Sequence, residues 1–151
     1  PSEALYRIDF LNHCRRILGP SGVLSMHLGS PVTRPNVFHR VYSSLSAVFG
    51  TVRPYLVYVP LYGAIWGMAT ASDKTDPLAL DSESVERRIK TRKIADLQYY
   101  NADTHHGVFA LPNYVRNLVL ADPRPITKQD PMDEPGLDPK NHIPLKVVRS
   151  D

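Results

Sequence analysis

Cysteine and tryptophan are scarce in this sequence, with one of each among 151 residues. Because Cys14 has no second cysteine to pair with, a disulfide scaffold is excluded and a reducing, cytoplasmic compartment is expected. The first residues do not form a charged and then apolar leader, which agrees with that compartment. The chain begins at Pro1 without an initiator Met, so we expect it to be a piece of a longer protein.

Loops and clusters that commonly carry chemistry are also absent. The sequence contains no GxGxxG loop and no GxxxxGK loop followed by Ser or Thr, so a nucleotide-binding sheet here would lack its cofactor half. Its serines lie in no GxSxG turn, and Cys14 falls on the core side of a predicted helix, so no nucleophile is predicted. His105 and His106 lack a third ligand at a metal-like spacing, and no metal site is expected.

Charge is missing from 19 consecutive residues, 54–72, a run long enough for a transmembrane helix. Pro60 and Gly63 interrupt that run, and its valine, tyrosine and isoleucine residues favour strands. We therefore predict two buried strands, over residues 52–59 and 65–71, with a turn between them. No membrane partner is expected.

The length and composition of the chain, with 42% apolar and 22% charged residues, are typical of one globular domain. The formal net charge of +3 includes a dense basic run of Arg87, Arg88, Lys90, Arg92 and Lys93. An acidic residue stands four positions before Arg87, and another stands four before Lys90. This spacing favours ion pairs on a solvated helix face over a nucleic-acid patch, so no nucleic-acid partner is expected.

Hydrophobic spacing divides the chain into helices and strands. Caps and stops predict helices over residues 2–18, 36–49, 81–95 and 111–120, with Ser2, Asn36 and Asp81 or Ser82 as caps. Short apolar runs predict further strands over residues 23–27 and 97–100. This order suits an α/β sheet whose last two strands form a hairpin. The segment 121–151 holds six prolines and is predicted to be an extended or wrapping tail.

The turn between the two central strands carries aromatic residues. A strand stops at Pro60, exposes Tyr62 and returns with Trp66. Taken alone, Tyr62 and Trp66 favour an interpretation as core aromatics that cap a hairpin. Because ligands bind at the strand ends of open α/β sheets, Tyr62 is also a candidate ligand contact.

Several segments resemble the spermidine synthase family, the polyamine aminopropyltransferases. Residues 1–6, PSEALY, resemble the segment directly after that family's Asp-containing gate loop. Residues 97–105, LQYYNADTH, and residues 109–112, FALP, resemble its LxYYNxDxH and FxLP signatures. The strand at 22–24, the Ser30-Pro31 pair and the hairpin at 59–73 fall in the family's order and spacing.

The resemblance implies a fold and a reaction. The fold is α/β: the C-terminal half of a Rossmann-like, class I methyltransferase-type sheet that ends in an antiparallel hairpin, with residues 1–120 in the catalytic domain and 121–151 as a proline-rich tail. The reaction is transfer of an aminopropyl group from decarboxylated S-adenosylmethionine, a co-substrate and not a tightly bound cofactor, to a diamine or polyamine. Tyr62 matches the hairpin tyrosine that supports the acceptor amine, which implies a catalytic and substrate-binding role, and Trp66 is implied in substrate binding.

The family's gate-loop aspartates, its glycine-rich co-substrate loop and its ribose-binding acid fall outside this chain. The resemblance therefore implies that the chain alone is inactive and that an N-terminal half or a partner chain completes the site, and a homo-oligomer is expected. Residues 60–64, PLYGA, replace the PTYPSG of many members, and residues 27–31, HLGSP, replace QxESP. The acceptor therefore stays open between putrescine, a longer polyamine and another amine.

Two other functions fit the same residues. A methyltransferase that uses ordinary S-adenosylmethionine shares both the fold and the sulfonium chemistry. A non-catalytic interaction module would instead bind an acidic partner through the basic helix at 82–95 and the proline-rich tail.

Overall fold

A three-stranded sheet and five α-helices make up residues 2–132, the part of the chain that the computed structural model describes. The helices are α1 (Ile8–Leu18), α2 (Pro35–Ser46), α3 (Ser82–Thr91), α4 (Ala102–Phe109) and α5 (Asn113–Leu120). The strands are β1 (Leu24–Gly29), β2 (Thr51–Val59) and β3 (Ala64–Ser72). Short 3-10 helices span Glu3–Tyr6, Pro60–Tyr62 and Pro77–Ala79.

Strand β3 lies in the middle of the sheet and runs antiparallel to both neighbours, in the order β1-β3-β2. Strands β1 and β2 therefore point the same way, and α2 connects them across β3. The predicted hairpin is confirmed: β2 and β3 pair without a break from Thr51 opposite Ser72 to Val59 opposite Ala64. In residues 2–132 no helix has the length and apolarity to cross a membrane.

The hydrophobic core lies on one face of this sheet. The elements that contribute fully buried side chains to it include α1, α2, β1, β3 and the C-terminal segment, by which we mean residues 121–132. These side chains include Leu11, Leu28, Phe38, Val41, Leu45, Ala69, Ala71 and Ile126. Strand β2 adds Leu56 to this face, and its neighbour Tyr55 points to the other. There the Tyr55 ring meets Phe109 of α4, with centroids 5.4 Å apart. Helix α4 thus covers β2 on the face opposite α2.

Residues 121–132 lie against α2, as a wrapping tail would. Ile126 is fully buried, and its backbone N–H donates to the Ser44 hydroxyl at 2.8 Å. The guanidinium of Arg40, 3% exposed, donates to the carbonyls of Arg124, Asp130 and Pro131 at 3.1, 2.7 and 3.1 Å. The remainder of the predicted tail lies outside the described residues, and the division of the chain at residue 120 stays a prediction.

The first predicted helix is wrong at its start. Ser2 forms no side-chain cap, and Arg7 is extended, with φ −76° and ψ 148°. The cause is the C-terminal segment, because the Ile8 N–H donates to the Ile126 carbonyl at 3.1 Å and not to the preceding turn. A 3-10 turn and α1 therefore replace one continuous helix.

The predicted strand at 97–100 is also wrong, since these residues form an irregular segment, with a bend at 98–99, that leads into α4. Asn101 caps that helix: its side chain accepts from the Thr104 N–H at 2.8 Å, and the Thr104 hydroxyl accepts from the Asn101 N–H at 2.7 Å.

The basic helix, α3, ends at Thr91, short of the predicted residue 95. Lys93 beyond it has a left-handed φ of 51°, which stops the helix.

Candidate functional site

The hairpin end between β2 and β3 places Tyr62 at the surface. Pro60 begins a single 3-10 turn, and Gly63 closes it in the left-handed region with φ 58°, a conformation that favours glycine. The Gly63 N–H donates to the Pro60 carbonyl at 3.1 Å. Tyr62 is 50% exposed, so this residue is not part of the core within residues 2–132.

Trp66 supports Tyr62 from β3. The two rings pack with centroids 4.5 Å apart at an interplanar angle of 44°. The Trp66 indole N–H donates to Nδ1 of His27 at 2.8 Å, and those rings meet edge to face at 6.2 Å. The sheet thus brings together the two residues singled out from the sequence and adds His27, from the end of β1. His27 was not among the residues singled out from the sequence, although it lies in the HLGSP segment, residues 27–31.

The opposite side of the hairpin end is apolar. Tyr58 faces Ile65 in the strand register, and they are 64% and 40% exposed. Side chains alternate along a strand, so this pair lies on the face away from Trp66. Tyr58 therefore provides an exposed tyrosine on the same hairpin that does not share the surroundings of Tyr62.

The strands and loops that form this end of the sheet carry no carboxylate of their own. Residues 10–72, which include β1, the hairpin and the loop after β1, contain no Asp or Glu. The next acids, Asp73 and Asp76, follow the far end of β3, about 26 Å from the hairpin tip at the usual rise of a strand. They are occupied there: Asp73 binds Arg15 at 2.7 Å, and Asp76 binds Arg53.

These pairs have a clear electrostatic effect. The hydrogen bond from Arg15 lowers the pKa of Asp73, and that from Arg53 lowers the pKa of Asp76. Both carboxylates are held charged and paired, so neither is available to a cation at the hairpin tip. Residues 10–72 therefore offer aromatic and hydroxyl groups at the hairpin end, and no carboxylate.

The residues of the YYNxDxH motif form a separate, structural link. The buried His105 donates from Nε2 to the Pro77 carbonyl at 2.9 Å and accepts at Nδ1 from the Tyr100 hydroxyl at 2.7 Å. Burial raises the pKa of Tyr100. This link fastens α4 to the loop after β3 and does not reach Tyr62. Within residues 2–132, His, Cys, Asp and Glu form no cluster of three that could hold a metal.

Ion pairing along the basic helix is mixed. Glu83 and Arg87 form the predicted pair, at 3.5 Å. Glu86 instead accepts from the Ala102 N–H at the start of α4, at 3.1 Å. The basic helix is thus tied to α4 by an acidic side chain.

Comparison with known proteins decides the family. A family model described as the spermine/spermidine synthase domain matches residues 1–82, more than half of the chain. The chain belongs to the spermine/spermidine synthase family. Its membership agrees with the resemblance seen in the sequence, although the matched range ends before the YYNxDxH motif.

Similar members of the spermine/spermidine synthase family are known from bacteria and archaea. The polyamine aminopropyltransferase of Nitrosomonas europaea is 43% identical over 150 residues, which cover 99% of this chain and 46% of the relative. The polyamine aminopropyltransferase of Sulfolobus acidocaldarius is 33% identical over 136 residues, covering 90% of this chain and 45% of the relative. The chain thus spans less than half the length of these relatives.

Solved structures of the same family share the fold. Spermidine synthase from Thermotoga maritima matches with a TM-score of 0.69 and 30% identity, over 79% of this chain and 40% of that one. A spermidine synthase in complex with the transition-state analogue AdoDATO matches with a TM-score of 0.67 and 31% identity, over 76% and 38%. The predicted fold, the C-terminal part of a Rossmann-like α/β sheet with a final antiparallel hairpin, is confirmed.

Proposed function

We propose that this chain forms the acceptor side of a polyamine aminopropyltransferase, which transfers an aminopropyl group from decarboxylated S-adenosylmethionine to a diamine or polyamine. The observation that carries the proposal is the half-exposed Tyr62 at the hairpin end of a spermidine synthase sheet, with its ring packed on Trp66. In this proposal Tyr62 contacts the attacking amine, and Trp66 forms the wall behind it.

The reaction sets what such a site must do. The amine nitrogen attacks the methylene carbon beside the sulfonium; the new C–N bond forms as the C–S bond breaks, and sulfur leaves as a neutral thioether. An amine with a pKa of roughly 10 is mostly protonated at neutral pH and then has no lone pair, so it must release one proton to solvent before it can attack. The Tyr62 hydroxyl can accept a hydrogen bond from the neutral amine and so direct its lone pair. Holding the two reactants in line supplies much of the acceleration.

Other parts of the site lie outside this chain in the proposal. Residues 10–72 offer no carboxylate to a polycation, and the chain covers 46% of its Nitrosomonas europaea relative. We infer that an upstream half, or a partner chain, supplies the counter-charges and binds decarboxylated S-adenosylmethionine as co-substrate. The chain alone is then inactive. A cytoplasmic homo-oligomer is part of the same proposal.

The test joins an upstream half from a relative to this chain. The upstream half of the Nitrosomonas europaea relative is fused ahead of Pro1 to give what we call the joined protein. Thioether release is then measured with putrescine or spermidine as acceptor, using decarboxylated or ordinary S-adenosylmethionine. We expect transfer by the joined protein with the decarboxylated compound only, and none by the 151-residue chain.

Controls make the result decisive. The unaltered relative is assayed in parallel, and a cooperative thermal melt establishes that the joined protein is folded. A folded joined protein that transfers nothing while the relative is active contradicts the proposal. Reaction with ordinary S-adenosylmethionine would instead assign a methyltransferase.

A further inference from the structure

The hydrogen bond between Trp66 and His27 crosses the sheet from β3 to β1. An indole has a single N–H donor, so this 2.8 Å bond uses the whole hydrogen-bonding capacity of the Trp66 side chain. Because Nδ1 of His27 accepts, the ring proton lies on Nε2, and the imidazole is neutral while the bond is made. One histidine therefore fixes how the indole plane is turned.

Trp66 passes this restraint to Tyr62. The Tyr62 ring is half exposed and packs on the indole with centroids 4.5 Å apart. The 3-10 turn sets the Tyr62 backbone, but the aromatic contact restrains the ring that carries the hydroxyl. A turned indole would move that ring.

His27 is unsuited to hold an ammonium group directly. While Nδ1 accepts from Trp66, the other polar group of the ring is the Nε2–H, a donor, and an ammonium group is also a donor. No carboxylate from residues 10–72 stands beside it to reverse that preference. The chemistry of His27 at this place is therefore directed to Trp66.

We propose that His27 is a positioning residue that holds the Trp66 indole and, through it, the Tyr62 ring at the hairpin end. The effect of His27 on the binding of an acceptor amine rests on the proposed function. The effect of His27 on the two aromatic rings does not, since both rings lie within this chain.

Fluorescence tests the structural part on the full chain. Trp66 is the sequence's one tryptophan, so emission and anisotropy report on this ring alone. His27→Leu removes the acceptor, whereas His27→Gln keeps one in its amide oxygen. We expect the leucine variant to lower the anisotropy and shift the emission maximum, and the glutamine variant to match the unmodified chain.

The controls separate this effect from loss of a surface histidine or of the fold. His13→Leu removes an exposed histidine on α1 and is expected to leave emission unchanged. Should the leucine variant at position 27 unfold in a thermal melt, His27→Val gives the same comparison with a residue that favours strands. Unchanged emission and anisotropy in a folded variant without an acceptor overturns the proposal.

Kinetics of the joined protein test the part that concerns the amine. We expect His27→Leu to raise KM for the acceptor about tenfold, because a tenfold change corresponds to the free energy of about one hydrogen bond. The KM for decarboxylated S-adenosylmethionine should stay within about twofold. His27→Gln restores the acceptor KM. An unchanged acceptor KM in the leucine variant contradicts the amine part. A joined protein without any transfer defeats the proposed function, and fluorescence then still decides whether His27 positions Trp66.

Discussion

At the scale of single residues, Gly67 is a position where the sheet admits no side chain. A Cβ built there overlaps the ring of Phe38 and lies 3.0 Å from the Gly29 carbonyl oxygen. Phe38 is fully buried in the core, so its ring has no free space to move into. The glycine next to Trp66 is therefore required by the packing of α2 on β3.

Replacing this glycine should be costly. Gly67→Ala is expected to lower the free energy of unfolding by about 1–3 kcal/mol, the usual cost of overpacking a core. Urea denaturation followed by circular dichroism measures it. The matched control is Gly107→Ala in α4, where nothing lies within 4 Å of the added carbon. That change should be neutral or stabilise by up to about 1 kcal/mol. Equal losses for the two variants would contradict the packing explanation.

Asp76 gives a pH dependence at the same scale. The hydrogen bond from Arg53 lowers the pKa of Asp76 in the folded protein, while the pKa of an unfolded aspartate is about 3.9. A lowered folded pKa gives stability that is fully present above the unfolded value and is lost as pH falls through the folded value. The pair is partly exposed, so its contribution is small.

Asp76→Asn removes this contribution while its amide oxygen can still accept from the Leu78 N–H. We expect the variant to be less stable at pH 7 by less than about 1 kcal/mol. The difference from the unmodified protein should shrink once pH falls below the unfolded value of about 3.9, and it should be lost as pH falls through the lowered folded pKa of Asp76. Urea midpoints at a series of pH values measure it. A difference that is constant or grows on acidification would count against the pairing.

At the scale of elements, the Arg40 side chain fastens the C-terminal segment to α2. Three carbonyls of that segment accept from its guanidinium, and the Asp130 carboxylate lies 3.2 Å away. The hydrogen bond from Arg124 and the nearby Arg40 lower the pKa of Asp130. One buried side chain thus satisfies three carbonyls of a proline-rich segment, beside the bonds that Ile126 makes to Ser44 and Ile8.

Removal of this guanidinium should therefore destabilise the protein. Arg40→Met keeps the apolar stem but leaves three carbonyls without their donor, and we expect a loss of about 3 kcal/mol in the free energy of unfolding. Faster proteolysis within residues 121–132 should accompany it. Arg16→Met, at an exposed position on α1, should stay within about 0.5 kcal/mol. Equal stability of the two variants would show that the segment is held by other contacts.

Elements differed in how far the sequence could predict them. The hairpin was predictable because Pro60 and Gly63 break an apolar run rich in strand formers. The start of the chain was not, because Arg7 is extended by a bond between Ile8 and Ile126, which are far apart in sequence. At 97–100 the aromatic residues favoured a strand, while the cap at Asn101 imposed a helix start immediately after them.

At the scale of the whole molecule, we propose that the candidate site is formed jointly by this chain and by an upstream half or a partner chain. The chain carries a formal charge of +3, and no acid occurs in residues 10–72. Residues 10–72 therefore provide no carboxylate that could bind a polycation at the hairpin end. In the proposed enzyme, aromatic and hydroxyl groups of this chain orient the acceptor, and carboxylates from elsewhere hold its charge.

The sequence predicted the site in part. Tyr62 and Trp66 came from the family resemblance and from their place at a turn, and the structure brings their rings together. The link to His27 joins residues 39 positions apart and depends on the pairing of β1 with β3. Strand register is not written in local spacing, so this partner emerged only from the fold.

The most direct test of the central claim is the turnover of the joined protein with tyrosine removed from one side of the hairpin or the other. Tyr62→Phe should slow aminopropyl transfer at saturating substrates by at least about tenfold, with KM for decarboxylated S-adenosylmethionine within about twofold. Tyr58→Phe, on the opposite face, should leave turnover unchanged. Equal turnover for both variants and the parent would contradict the claim that the Tyr62 hydroxyl orients the acceptor amine.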